Sequence, residues 1–173
     1  LLKEINVDTK YLITQKNRVT SKKSRIIASQ QQVIRYDCEK IDDINDLSIK
    51  AILNNYNSII KNYDAVLLSD YGKGVLTFDL TQSLIAIANK NKKKVLVDPK
   101  GSDYSKYMGA FLLTPNKKEA SEATKVPIHN EESLSKVIQT LKSQFKLQVS
   151  LITLSEQGVA IFDNKLRIHP TSA

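Results

Sequence analysis

VLLSDYGKG (residues 66–74), VLVDPKG (95–101), LLTPNKKE (112–119) and LITLSEQG (151–158) share one layout: a short apolar run that ends abruptly in polar, loop-forming residues. Runs of Val, Leu and Ile bounded by turn residues read as strands buried on both faces, the pattern of a parallel sheet covered by helices. In open α/β sheets, ligands bind beyond the carboxyl ends of the strands. The layout therefore predicts that Asp70, Lys73, Asp98, Lys100, Asn116, Glu119 and Ser155 converge on one sheet edge. Carboxylates, an amide and lysines together suit a site for phosphate and a metal ion.

Around these runs the organisation changes once. Residues up to about Glu39 read as β-like, within a lid and connection of about 1–42 ahead of an α/β core of 43–173, with strands expected at 24–28 and 32–37 joined through Ser29, Gln30 and Gln31. From Asp43 onward helix and strand alternate. Leu47, Ile49, Ile52, Leu53, Tyr56, Ile59 and Ile60 form a helical apolar stripe. Strands are expected at 64–69, 95–98, 110–114 and 148–154. A helix over 78–89 has Thr77 as its N-cap, and a short helix starts at Lys117. Leu134, Val137, Ile138, Leu141 and Phe145 mark a longer helix. A hairpin of 159–163 and 165–169 turns at Asn164. Such alternation predicts an α/β domain with right-handed crossovers.

Composition narrows the function classes. A single cysteine, Cys38, excludes a disulfide framework and favours a reducing, cytoplasmic setting. His129, His169 and Cys38 lack metal-like spacing. No apolar stretch approaches the roughly 18 residues of a membrane span. The net charge of +8 is concentrated partly in Lys90, Lys92, Lys93 and Lys94, at an expected helix end where lysines are favoured. A nucleic-acid-binding face would need basic residues with interleaved aromatics; without tryptophan, and with its seven tyrosines scattered, the sequence argues against nucleic acid as a partner.

Each loop has a structural and a functional reading. Asn116 and Glu119 fit a capping box. They equally fit a helix amino terminus facing phosphate, with Glu119 holding a water of a magnesium shell. Gly72-Lys73-Gly74 is either a flexible turn or a backbone that approaches an anion closely. Asp98 to Gly101 and Ser155 to Gly158 suffice as turns.

Taken together, DYGKG, DPKG, TPNKKE and SEQG resemble the successive signature segments of the ribokinase-like (PfkB) sugar kinases, and SKKSRIIASQQQVIRYDCE (21–39) resembles the lid strands of the same family. The likeness is strongest to its heptose-7-phosphate kinase branch and runs in order through nearly the whole chain. It implies a ribokinase-like, mostly parallel sheet flanked by helices, with a small antiparallel β lid near the amino terminus. It also implies ATP and Mg2+ as cofactors and a heptose 7-phosphate as substrate, in ADP-heptose and lipopolysaccharide core biosynthesis. By resemblance, Asn116, Lys117, Lys118, Glu119, Ser155, Glu156, Gln157 and Gly158 lie on the nucleotide side, with Glu119 reaching the metal through water. Lys100, Asp70, Lys73, Asp98, Arg25 and Arg35 lie on the phosphate and sugar side. A homodimer through the lid strands is implied as well.

Two family segments have no match. One is the amino-terminal sugar-binding segment. The other is the Gly-Ala-Gly-Asp whose Asp takes the sugar hydroxyl proton, and which the family places beyond Ala173. The expectation is an incomplete, inactive piece of a kinase domain. Another PfkB-type sugar kinase, or a nucleotide-binding or dimerisation module without chemistry, stays open at this stage.

Overall fold

The computed structural model describes residues 2–171. Its centre is a six-stranded sheet in the order β3-β4-β5-β6-β7-β8. Here β3 is Ala65–Ser69, β4 Lys94–Asp98, β5 Leu112–Leu113, β6 Val149–Thr153, β7 Val159–Phe162 and β8 Leu166–His169. The first four are parallel neighbours, as the apolar runs predict, and β7 and β8 close the sheet as an antiparallel hairpin. A separate antiparallel pair, β1 (Lys22–Ala28) and β2 (Gln31–Cys38), makes the small second sheet.

β5 is shorter than the expected 110–114 because only two residues satisfy strict ladder geometry. Its hydrogen bonding nevertheless extends further: Phe111 and Thr114 donate to Val95 and Val97, and Pro115 accepts from Thr153. The lid turn is also tighter than expected. Ser29 and Gln30 alone make it, both at positive φ (48° and 69°), the conformation that a two-residue hairpin requires.

Helix α1 (Asp46–Ile59) begins at its N-cap Asn45, and α2 (Phe78–Lys90) at Thr77, whose hydroxyl accepts the Leu80 N–H. Leu80, Leu84, Ile85 and Ala88 of α2 enter the core. Leu134, Val137, Ile138 and Leu141 of α4 (Glu131–Gln144) join them there. α3 (Lys117–Thr124) fills the β5 to β6 crossover. Leu47 departs from its expected stripe and is 76% exposed, while Ser48 is buried. The cause is helical geometry: at about 100° per residue Leu47 falls on the face opposite Ile49, Leu53 and Tyr56. Ser48 lies on the inner side, where the Gln15 side-chain oxygen accepts its hydroxyl and the Asn45 N–H.

The expectation of burial on both sheet faces also needs correcting. Val95, Val97, Leu113, Ile152 and Ala160 are essentially inaccessible. Side chains alternate across a strand, and the other set, Leu96, Leu112 and Leu151, is half-buried. On the edge strand β3, Leu67 is 71% exposed.

Candidate functional site

Loops leaving the carboxyl ends of β3, β4 and β5 enclose a cleft of about 620 Å³, inside the range of small-molecule sites. Asp70 and Tyr71 come from the first loop, Asp98 and Lys100 from the second, and Asn116 and Glu119 from the third. Five of the seven residues predicted to converge therefore line one cleft. Lys73 and Ser155 do not.

At the third loop, Asn116 Oδ1 accepts the Glu119 N–H and Glu119 Oε2 accepts the Asn116 N–H, both at 3.0 Å. This reciprocal capping box fixes the start of α3. Glu119 Oε1 remains outside it and lies 3.7 Å from the ammonium of Lys100. One carboxylate thus caps the helix with one oxygen and meets a cation of the cleft with the other.

Asp70 is 6% exposed and heavily committed. Its Oδ2 accepts from Lys106 Nζ and from the Tyr107 hydroxyl, each at 2.6 Å, and its Oδ1 accepts the Gly72 N–H at 2.7 Å. Burial opposes ionisation, but these three donors and the Lys106 charge outweigh it and hold the carboxyl below the ordinary Asp value. Burial, then the bond to Asp70, pushes the Tyr107 phenol far up, so it stays protonated and donates. Lys106 and Tyr107 escaped the sequence reading. They sit in the 3-10 turn Ser105–Tyr107, outside every motif, and nothing local in DYSKY marks a partner more than thirty residues away.

The remaining predicted residues do not line this cleft. Lys73 pairs with Glu39 and lines a separate cavity with Arg18, Lys40 and Ile44. Ser155, Glu156 and Gln157 form a 3-10 turn beside α3, where Lys117 Nζ donates to Gln157 Oε1 at 2.6 Å. Gly158 follows at φ 95°, ψ −132°. Lys118 is exposed and faces Glu122 along the helix. Arg25 and Arg35 are cross-strand partners on the lid, and Arg35 also meets Asp37 at 3.2 Å.

Among the described residues no His, Cys, Asp and Glu group of three or more could cage a metal ion. Asp98 and Glu119 nevertheless place two carboxylates on one cleft. That oxygen donor set fits magnesium, which binds through one or two carboxylates, waters and substrate phosphates.

Comparison with known proteins bears on the family and the fold. The bifunctional protein HldE of Aliarcobacter butzleri is 62% identical over 173 residues, covering 100% of this chain and 36% of that protein. The chain thus spans little more than a third of that curated relative. Among solved structures, the crystal structure of Sa239 aligns over 99% of this chain and 55% of its own, with a TM-score of 0.78 and 18% identity. A ribokinase of Arabidopsis thaliana complexed with ribose and ATP aligns over 89% and 49%, with a TM-score of 0.62 and 17% identity. These two share the fold. The family model of pfkB carbohydrate kinases matches residues 1–173, and the chain belongs to that family.

Proposed function

We propose that this chain forms the nucleotide-side core of a sugar-phosphate kinase that transfers the γ-phosphoryl group of ATP to heptose 7-phosphate, giving the 1,7-bisphosphate for ADP-heptose and lipopolysaccharide core biosynthesis. The observation that carries the reading is the meeting of Lys100, Asp98 and the capped amino terminus of α3 in one cleft. In phosphoryl transfer the bond from the γ-phosphorus to the bridging oxygen breaks as the sugar oxygen bonds to phosphorus. Charge spreads over the phosphate oxygens, so positioning and neutralisation dominate catalysis. Lys100 and the backbone N–H groups at the start of α3 supply both. Asp98 and Glu119 would hold Mg2+ through water, and the ion would neutralise phosphate charge.

On this reading Lys117 and the Ser155–Gly158 turn flank the nucleotide, and Arg25 and Arg35 on the lid face the phosphate already on the sugar. Residues 1–173 contain no Gly-Ala-Gly-Asp. The Asp that accepts the hydroxyl proton therefore comes from elsewhere in the protein, and these residues alone do not turn over. The lid pairs with the lid of a second copy: Ile26, Ile34 and Tyr36 share one of its faces and are each more than half exposed.

The test is magnesium-dependent ADP release by the protein carrying this chain, with heptose 7-phosphate set against hexose phosphates and ribose. Preference for the heptose phosphate supports the assignment. Preference for another sugar keeps the kinase and changes its substrate. ATP binding without transfer to any sugar leaves a nucleotide-binding module.

A further inference from the structure

We propose that Tyr107 is a positioning residue for Lys100, acting through a hydroxyl that Asp70 orients. The inference rests on the kinase reading above and adds residues of that site which none of the signature segments contains. The Tyr107 side chain is fully buried, and its single hydroxyl proton goes to Asp70 Oδ2 at 2.6 Å. With the proton so directed, the oxygen lone pairs face the Lys100 N–H, which donates to them at 3.1 Å. A hydroxyl fixed by a carboxylate thereby holds the backbone of the residue whose ammonium meets Glu119 across the cleft.

The anchor is itself rigid. Lys106 bonds both Asp70 and the Leu76 carbonyl, while Gln82 of α2 donates to the Lys106 and Met108 carbonyls. Gly72 lies against the Lys100 side chain, since a Cβ built there would sit 3.3 Å from Lys100 Cγ. The β3 and β4 loops are thus one unit bolted to α2 through the 3-10 turn. A cation that must meet phosphate within a few tenths of an ångström gains from such support, because preorganised charge is what accelerates transfer.

The test uses Tyr107→Phe, Lys100→Met and the double variant in the protein carrying this chain. Phe keeps the ring contact to Tyr104, whose centroid is 5.7 Å away. Tyr107→Phe is expected to lower kcat about 10-fold and Lys100→Met about 100-fold, with the double variant no worse than Lys100→Met, since residues acting as a unit do not add. Amide hydrogen exchange at Lys100, which needs no turnover, should accelerate about 10-fold or more in Tyr107→Phe. Multiplying losses in the double variant, or unchanged exchange at Lys100, overturns the proposal. A wild type that transfers no phosphate sinks the kinase reading, while exchange at Lys100 still decides whether Tyr107 holds it.

Discussion

The ammonium of Lys100 lies 3.7 Å from one oxygen of the Glu119 carboxylate, whose other oxygen accepts the Asn116 N–H at 3.0 Å. Glu119 therefore belongs to a helix cap and to a cleft at once. The two roles can be separated chemically, because a cap needs only an acceptor oxygen whereas a cation or a metal-bound water responds to charge.

Glu119→Gln should keep the cap, with a stability change within about 0.5 kcal/mol. It should slow turnover at limiting magnesium by about 100-fold, since the carboxylate that would hold the ion through water is lost. Glu119→Ala should also lose the reciprocal half of the capping box, the bond from the Asn116 N–H, at a cost of about 1 kcal/mol, while the Asn116 side chain still caps the residue-119 N–H. Melting curves and a magnesium titration of the rate, measured together, check both. A normal rate at limiting magnesium in a normally folded Glu119→Gln protein would reduce Asn116 and Glu119 to a helix cap.

Gly158→Ala should be severe for a backbone reason. A Cβ at Gly158 would lie 1.9 Å from the His169 carbonyl oxygen and 2.7 Å from Pro170 Cα, at φ +95°. The Leu154 N–H also donates to the Gly158 carbonyl at 2.7 Å, so the turn cannot relax without disturbing the end of β6. Left-handed strain and overpacking together should cost at least about 2 kcal/mol. Denaturant unfolding reads this directly, and a loss below about 0.5 kcal/mol, the ordinary surface value, would contradict the close approach.

Much of this arrangement was legible in the sequence because parallel strands and their caps are local. The apolar runs gave the four parallel neighbours, Thr77 the start of α2, and Asn116 with Glu119 the capping box. What local sequence does not encode is commitment across the fold. Lys73 reads as a phosphate ligand beside two glycines, yet Glu39 holds it elsewhere. Asp70 reads as a ligand, yet its oxygens are taken by Lys106, Tyr107 and Gly72. Leu47 is apolar and neighbours the stripe in sequence, but it falls on the opposite face of α1 from Ile49, Leu53 and Tyr56 and stays exposed. A continuous apolar run signals burial on both faces, while Leu67 of β3 is 71% exposed, and Leu96 and Leu112 of the neighbouring strands are only half-buried.

The lid offers a third test. Ser24 faces Tyr36 and Ile26 faces Ile34 across one side of the β1–β2 ribbon, while the Lys23–Asp37 and Arg25–Arg35 pairs occupy the other. If the apolar side meets a second copy, Ile34→Lys should convert a dimer to a monomer, lowering dimer affinity by about 10-fold or more through a desolvated charge. Arg25→Gln, on the opposite side, should leave the oligomer intact and raise KM for the sugar phosphate. Sedimentation equilibrium of both variants separates the faces, and a wild type that is monomeric at all concentrations removes the lid dimer.

Asp70 ties the cleft to the acid stability of the domain. Donation from Lys106, Tyr107 and Gly72 sets its folded-state value below the ordinary Asp value. A depressed carboxyl contributes stability that is fully present above the unfolded-state pKa, about 3.9, and that is lost as pH falls through the lower folded-state value. Asp70→Asn removes the negative charge and leaves Lys106, whose side chain is only 22% exposed, without its counter-ion. Breaking a largely buried pair from one side should cost about 2–3 kcal/mol at pH 7, toward the lower end because Lys106 retains some water. The wild-type advantage over Asp70→Asn should therefore be constant from pH 7 to about pH 5 and shrink below about pH 4. Urea unfolding of both proteins between pH 7 and pH 3 measures it. An advantage that grows as pH falls would mean that Asp70 is protonated in the folded state and that Lys106 and Tyr107 do not hold it as an anion.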